Sequence, residues 1–305
     1  MTPQTGPATT TENSSTRIPS SAPTRIAASR AAGAARTRAM PPHARAHGSV
    51  RAPRRERSRA VIKAILALWA EHDSDPGEFQ LELLDRCAEA ATGSGAIPRP
   101  LGIALNLADV ESGERWDRGG PEGPMADAMV AVWTNDAWAE DGTLGSFAGA
   151  LAGTAGVARL GGWTVEEHYP KRYERDWVDG ERSPGVKMMT LMRLAPGRSH
   201  EQCARHWREV HTPLALRIHI GMQHYVQNVV HVPLAGTDAD PDVFGVVELH
   251  MRSREAFREE RYDSEEGRRE IYEDIPKFMA LDRATGGYFA ERILRTPPGV
   301  VSGRP

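Results

Sequence analysis

The pattern of apolar and polar positions divides the chain into a polar stretch and two rounds of alternating elements. From Val61 the run "VIKAILALW" has the length of a buried strand, whereas in "GEFQLELLDRCAEAA" the apolar residues fall at helical spacing. "PLGIALNLAD", "ADAMVAVWT" and "GWTVEEHY" read as strands, with "SFAGALAG" as a short helix before the last. A second round opens at Val186. "VKMMTLMRL" is a strand, "SHEQCARHWREVHTPLALR" a helix, "MQHYVQNVVHV" and "DVFGVVELHM" strands, Arg254 to Asp282 two helical stretches, and "GGYFAERIL" a closing strand.

A β-α-β-β-α-β order, given twice, predicts an α+β protein with two ferredoxin-like halves. Each half makes a sheet with helices on one side, and the bare face needs cover. Two sheets packed face to face within one chain satisfy each other, so the expected architecture is an intrachain version of a dimeric α/β barrel. The expected boundaries are a disordered tail at 1–58, a first half at 59–170, a solvated linker at 171–185, a second half at 186–295 and a flexible end at 296–305. Residues 1–58 lack aromatics and apolar periodicity, so little burial is available to offset their ordering entropy.

Charge sharpens this division. Residues 1–60 hold eleven arginines against Glu12 and Glu56, so the net charge of −3 leaves about −12 on the remainder. That acidic remainder offers no basic stripe for nucleic acid. No apolar run reaches membrane-spanning length, and Lys63 with the acidic "EHDSD" argues against an export signal in "RRERSRAVIKAILALWAEH". Two cysteines, Cys87 and Cys203, make no disulfide framework, so a cytoplasmic protein is expected.

The stretch "ARHWREVHTPLA" concentrates the candidate chemistry. His206 and His211 are five apart, about 140° around an ordinary helix, so a shared metal is not expected. Spacing of four aligns Cys203, Trp207 and His211 on the stripe that packs on the sheet, with His206 facing solvent. The helix should bend or stop before Pro213. An inward His211 is either a satisfied core histidine or half of an acid–base pair with the carboxylate of Glu248. Tyr225 and Asn228 add polar groups nearby, although strand alternation turns them to opposite faces. The charge-rich segment from Arg254 to Asp274 reads as a solvated helical face.

The run "PGRSHEQCARHWREVHTPLALRIHIGMQHYVQNVV", with "FGVVELHMRSREAFREERY" after it, resembles the EthD domain of the dimeric α/β-barrel superfamily over residues 186–295. Its marks are the Trp-x-x-x-His helix, the Tyr-Val-Gln-Asn strand and the Gly-x-x-Glu strand, while Cys203 stands where the family usually has an aromatic residue. Residues 61–170 look like a diverged second copy, with Phe79, Leu83 and Cys87 opposite Cys203, Trp207 and His211. The resemblance implies an enzyme acting on a small hydrophobic, phenolic or β-keto substrate without a cofactor, with no nucleic-acid or membrane partner and a homodimer as an option. His211, Glu248, Tyr225 and Asn228 are the candidate catalytic residues; Trp207, Cys203, Met189 and Phe278 are the candidate substrate contacts. The expected outcome is a monooxygenase-like oxidation, with a decarboxylase, dehydratase or cyclase, a haem-binding barrel and a non-catalytic binder as alternatives.

Overall fold

A computed structural model describes residues 60–109 and 124–300. The tail expected over 1–58 and the last five residues lie outside the described residues.

Eight strands close into one antiparallel barrel. They are β1 (Val61–Ala70), β2 (Gly102–Ala108), β3 (Ala128–Asn135), β4 (Val157–Lys171), β5 (Val186–Arg193), β6 (Met222–Pro233), β7 (Val243–Met251) and β8 (Thr285–Arg295). Their order around the barrel is β1-β3-β2-β8-β5-β7-β6-β4, so β2 pairs with β8 and β4 with β6 across the two contributing segments. Closure leaves no open sheet edge, the exposed feature that invites pairing with other chains.

Helices cover the outer faces. Helix α1 (Pro76–Thr92) starts because Asp75 accepts the backbone N–H groups of Gly77 and Glu78, and it ends at Gly93 in the left-handed conformation. Short helices α2 (Asp136–Glu140) and α3 (Thr143–Ala152) complete the first cover. On the second segment, Ser199 and Gln202 form a reciprocal capping box at the start of α4 (His200–His206). It runs into a π-turn (Trp207–His211) and α5 (Thr212–Ile218); α6 (Arg254–Glu259) and α7 (Glu265–Asp274) follow later in the chain.

Because one strand face meets helices and the other meets the barrel interior, strands buried on both sides read as continuous apolar runs. In β1, Leu66 and Leu68 pack outward with Phe79 and Leu83, while Ile65 and Ala67 point inward with Trp163, Met189 and Phe289.

One end of the interior is not apolar. Lys63 Nζ donates to Glu167 Oε1 (2.5 Å) and Glu248 Oε1 (3.0 Å), and Lys187 Nζ donates to Glu248 Oε2 (2.8 Å) and to Glu291. The result is an alternating line, Glu167–Lys63–Glu248–Lys187–Glu291, reaching from β4 to β8. Trp133 Nε1 donates to Glu167, Asn228 Nδ2 to Glu248 and Ser183 Oγ to Glu291. A cavity of about 490 Å³ adjoins the line.

The segment at 171–185 is mostly exposed, as its charge suggests, but it is also anchored to the barrel. Arg175 and Ser183 are buried, and Tyr173 donates to Glu291 at 3.3 Å, so the segment covers this end of the barrel. Thr296 is not free either: it donates to Asp179 from both its backbone N–H and its hydroxyl, and accepts from Arg175. A charged segment is held here because buried charges across the barrel mouth supply partners that the local sequence does not reveal.

Two outcomes follow from the buried line. Lys187→Met strands Glu248 and Glu291 without their shared cation, and unfolding in urea should show a loss of about 3–5 kcal/mol. Burial alone would raise the Glu291 carboxyl, but Lys187 and His250 outweigh it and bring it down to about 2. A depressed carboxyl contributes stability above its ordinary value of 4.5 and loses it as pH falls toward 2. Unfolding free energies measured across that acid window should therefore decline, with a shallower fall in Glu291→Gln.

Candidate functional site

The helix that carries "HWREVH" does not stop at Pro213. Proline lacks an N–H and its ring crowds the carbonyl one turn back, which an α-helix tolerates poorly in its interior. The chain instead widens into the π-turn, where the Thr212 backbone N–H reaches Trp207 O, and then resumes as α5. A wider turn changes which residues share a face. His206 and His211, five apart, both reach one carboxylate: His206 Nε2 lies 2.9 Å from Asp274 Oδ1, and His211 Nδ1 lies 3.0 Å from Asp274 Oδ2. His206 is therefore largely covered instead of solvent-facing, with its ring stacked on Phe278 at 5.6 Å.

Asp274 ends α7, in the segment that its charge marks as a solvated face. The side chain is buried, with Lys277 Nζ at 3.4 Å as a cationic neighbour beside the two imidazoles. Burial would raise its carboxyl, yet hydrogen bonds from His211 and His206 hold it well below the usual carboxylate range. An ionised Asp274 accepts only, so His211 Nδ1 carries the hydrogen of this contact, and in the neutral ring Nε2 holds the lone pair.

A second polar cluster lies beside it. Tyr225 Oη accepts from Trp207 Nε1 (2.8 Å) and Gln227 Nε2 (3.1 Å), and Gln227 also donates to Thr212 Oγ1 (2.8 Å). Burial pushes the Tyr225 hydroxyl up to about 12, so it keeps its proton at neutral pH. Gly245 explains the glycine of the Gly-x-x-Glu strand. A Cβ there would stand 2.8 Å from the Trp207 ring and 2.9 Å from Met192 Cε.

Trp207, His211, Tyr225 and Phe278 line one cavity of about 90 Å³ between the sheet and the helices, walled further by Met188 and Met192. The Phe278 ring lies 4.8 Å from the His211 ring. Other candidates fall elsewhere. Glu248 is on the opposite face of β7 from Val247 and Leu249, within the buried charge line, so it does not partner His211. Asn228 shares that interior, donating to Glu248 Oε1 and Val246 O (both 2.9 Å). Met189 packs inside the barrel, and its neighbours Met188 and Met192 take the cavity wall instead. Cys203 is buried in the sheet–helix core, outside the cavity lining. Strand alternation, one residue at a time, accounts for Glu248 and Met189.

Asp274, His219 and Arg261 were missed by the sequence reading. The spacing of Ile271, Asp274 and Phe278 is that of a buried helical stripe, a signal masked by the surrounding charge. Among the described residues no cluster of metal-binding side chains is present, and no helix is long and apolar enough to cross a membrane.

Residues 195–282 match the EthD domain family model. No curated protein matches the chain by sequence. An anthrone oxidase-like protein of known structure shares the fold with a TM-score of 0.51 at 9% identity, over 80% of this chain and 97% of that one. A candidate monooxygenase from Lactobacillus acidophilus NCFM superimposes with a TM-score of 0.43 at 9% identity, over 78% and 97% of the two chains. A mutant chlorite dismutase from Candidatus Nitrospira defluvii in complex with cyanide gives 0.42 at 12%, over 76% and 92%.

Gly245→Ala should drive Trp207 off the sheet, because overpacking a filled site costs about 1–3 kcal/mol. The readouts are a lower urea midpoint and a red-shifted tryptophan emission.

Proposed function

We propose that the chain is a small-molecule enzyme whose acid–base site is the sheet–helix cavity of the EthD domain. The supporting observation is the Asp274–His211 pair. An ionised carboxylate fixes the imidazole tautomer, and the ring lines an apolar cavity with Nε2 available. His211 takes a proton from a phenolic or β-keto substrate, and Asp274 stabilises the imidazolium that results. Both acceptor positions of Tyr225 are used by Trp207 and Gln227, so its O–H is the part it can offer to a developing enolate or phenolate oxygen. Asp274 thus takes the orienting role first given to Glu248. The proposed outcome is oxidation of the anion by dioxygen, in keeping with a fold shared with an anthrone oxidase-like protein.

A haem fits poorly: at about 90 Å³ the cavity is well below the roughly 300–1,000 Å³ of sites for larger ligands. A single ring suits the space better, and the flexible methionines of its wall can adjust to it.

The first segment serves, in this reading, as an internal partner without its own site, since Leu83 and Cys87 stand where Trp207 and His211 stand in the second. A tandem origin is supported by buried pairs that repeat at one offset. The pair Lys63–Glu167 recurs as Lys187–Glu291, with each member shifted by 124 positions. The proposal places the protein in the cytoplasm, with a homodimer compatible with the fold.

The test is turnover of phenols and β-keto compounds under air, followed by substrate loss and oxygen uptake. His211→Ala should lower kcat by about 10²–10⁴-fold, the range for a positioned acid–base group. Asp274→Asn should lower kcat while leaving KM nearly unchanged. Equal turnover by wild type and His211→Ala ends the catalytic assignment.

A further inference from the structure

The sheet–helix cavity has a second polar end that the acid–base reading does not use. Arg261, in the connection between α6 and α7, lines it together with His219 and Tyr272. No carboxylate pairs with the Arg261 guanidinium within ion-pair distance among the described residues, and its Nε is buried without a hydrogen-bond partner. Arg261 is half-buried, so its guanidinium reaches the cavity with a donor that an entering anion could satisfy.

Its position is fixed by other contacts. The guanidinium lies over the Phe257 ring at 4.9 Å and the Tyr262 ring at 5.2 Å. The backbone is pinned from the end of α5: Gly221 N–H donates to Glu260 O (2.9 Å), and His219 Nδ1 donates to Arg261 O (2.5 Å). Burial pushes the His219 imidazole down to about 4; the hydrogen bond to the Arg261 carbonyl opposes the shift and the Arg261 charge adds to it. His219 is therefore neutral at neutral pH and acts as a positioning residue, leaving Arg261 as the charge at this end.

We infer that Arg261 recognises the anionic group of the substrate, so that the cavity takes a small one-ring carboxylate, held at Arg261 with its reacting hydroxyl or enol toward His211. A guanidinium matches a carboxylate with two parallel N–H bonds, a geometry that lysine cannot reproduce. The inference rests on the proposed site and specifies the class of molecule it accepts.

Calorimetric titration of the full chain with salicylate and with its neutral isostere salicylamide tests the point. Salicylate should bind at least tenfold more tightly. Arg261→Gln should remove that preference and Arg261→Lys should restore only part of it, each variant first checked for a wild-type urea midpoint. If a variant is destabilised, the wild-type preference at rising ionic strength gives the second reading, since an Arg–carboxylate contact weakens with salt. Equal binding of acid and amide by wild type, or a preference that survives Arg261→Gln, overturns the anion inference and leaves the acid–base reading standing. Binding of neither compound overturns both.

Discussion

Five ionised side chains share one end of the barrel interior, and the closed fold depends on their pairing. Glu248 stands between Lys63 and Lys187, and each lysine reaches a further carboxylate, so each cation bridges two anions contributed by different strands. Removing either lysine leaves two carboxylates without the cation they share. The same line ties β1 and β4 of the first segment to β5, β7 and β8 of the second within the closed barrel. Apolar packing would hold the sheets together in many registers. Alternating charges at fixed positions favour the one register that pairs them all.

Separating this interior from the sheet–helix cavity is what gives the EthD domain its proposed site. β6 and β7 pass between the two regions and present a different set to each: Asn228 and Glu248 inward, Tyr225, Gln227 and Val247 outward. Structural charges therefore never compete with the groups that line the cavity. Inside it, Asp274 meets both histidines because a π-turn, and not an ordinary helical turn, carries them. The turn sits where Pro213 makes a regular helix unfavourable, and the Trp207 carbonyl that accepts the Thr212 N–H also accepts from the Thr212 hydroxyl and from Gln227. A local irregularity thus becomes the frame of a hydrogen-bonded pair.

Much of the fold was legible in the hydrophobic pattern. All eight strands and the main helix of each segment lie where periodicity puts them, because strands covered on both faces and helices covered on one leave different spacing in the sequence. Trp207, His211, Tyr225 and Phe278 were also legible as residues of one stripe or strand face, and they line the cavity together. Glu248 was misread for a definite reason: an isolated carboxylate in an apolar strand demands a partner, and the nearest visible imidazole was not the one across the barrel wall. Lys63 and Lys187 lie near the starts of β1 and β5, far along the chain from Glu248, and no local spacing links them to it.

What the sequence determined by itself is local: element type, element order, which positions of each helix are apolar, and an acidic body after an arginine-rich start. Those follow from short-range spacing and composition, which need no knowledge of neighbours. Tertiary structure alone decided who meets whom. Asp274 was brought to His211 across 63 positions and Lys187 to Glu291 across 104, through a turn geometry and a barrel closure that no single window encodes. Contacts of that kind depend on the three-dimensional path between distant residues, and the charge or polarity of either partner, seen in its own segment, suggests only that water surrounds it.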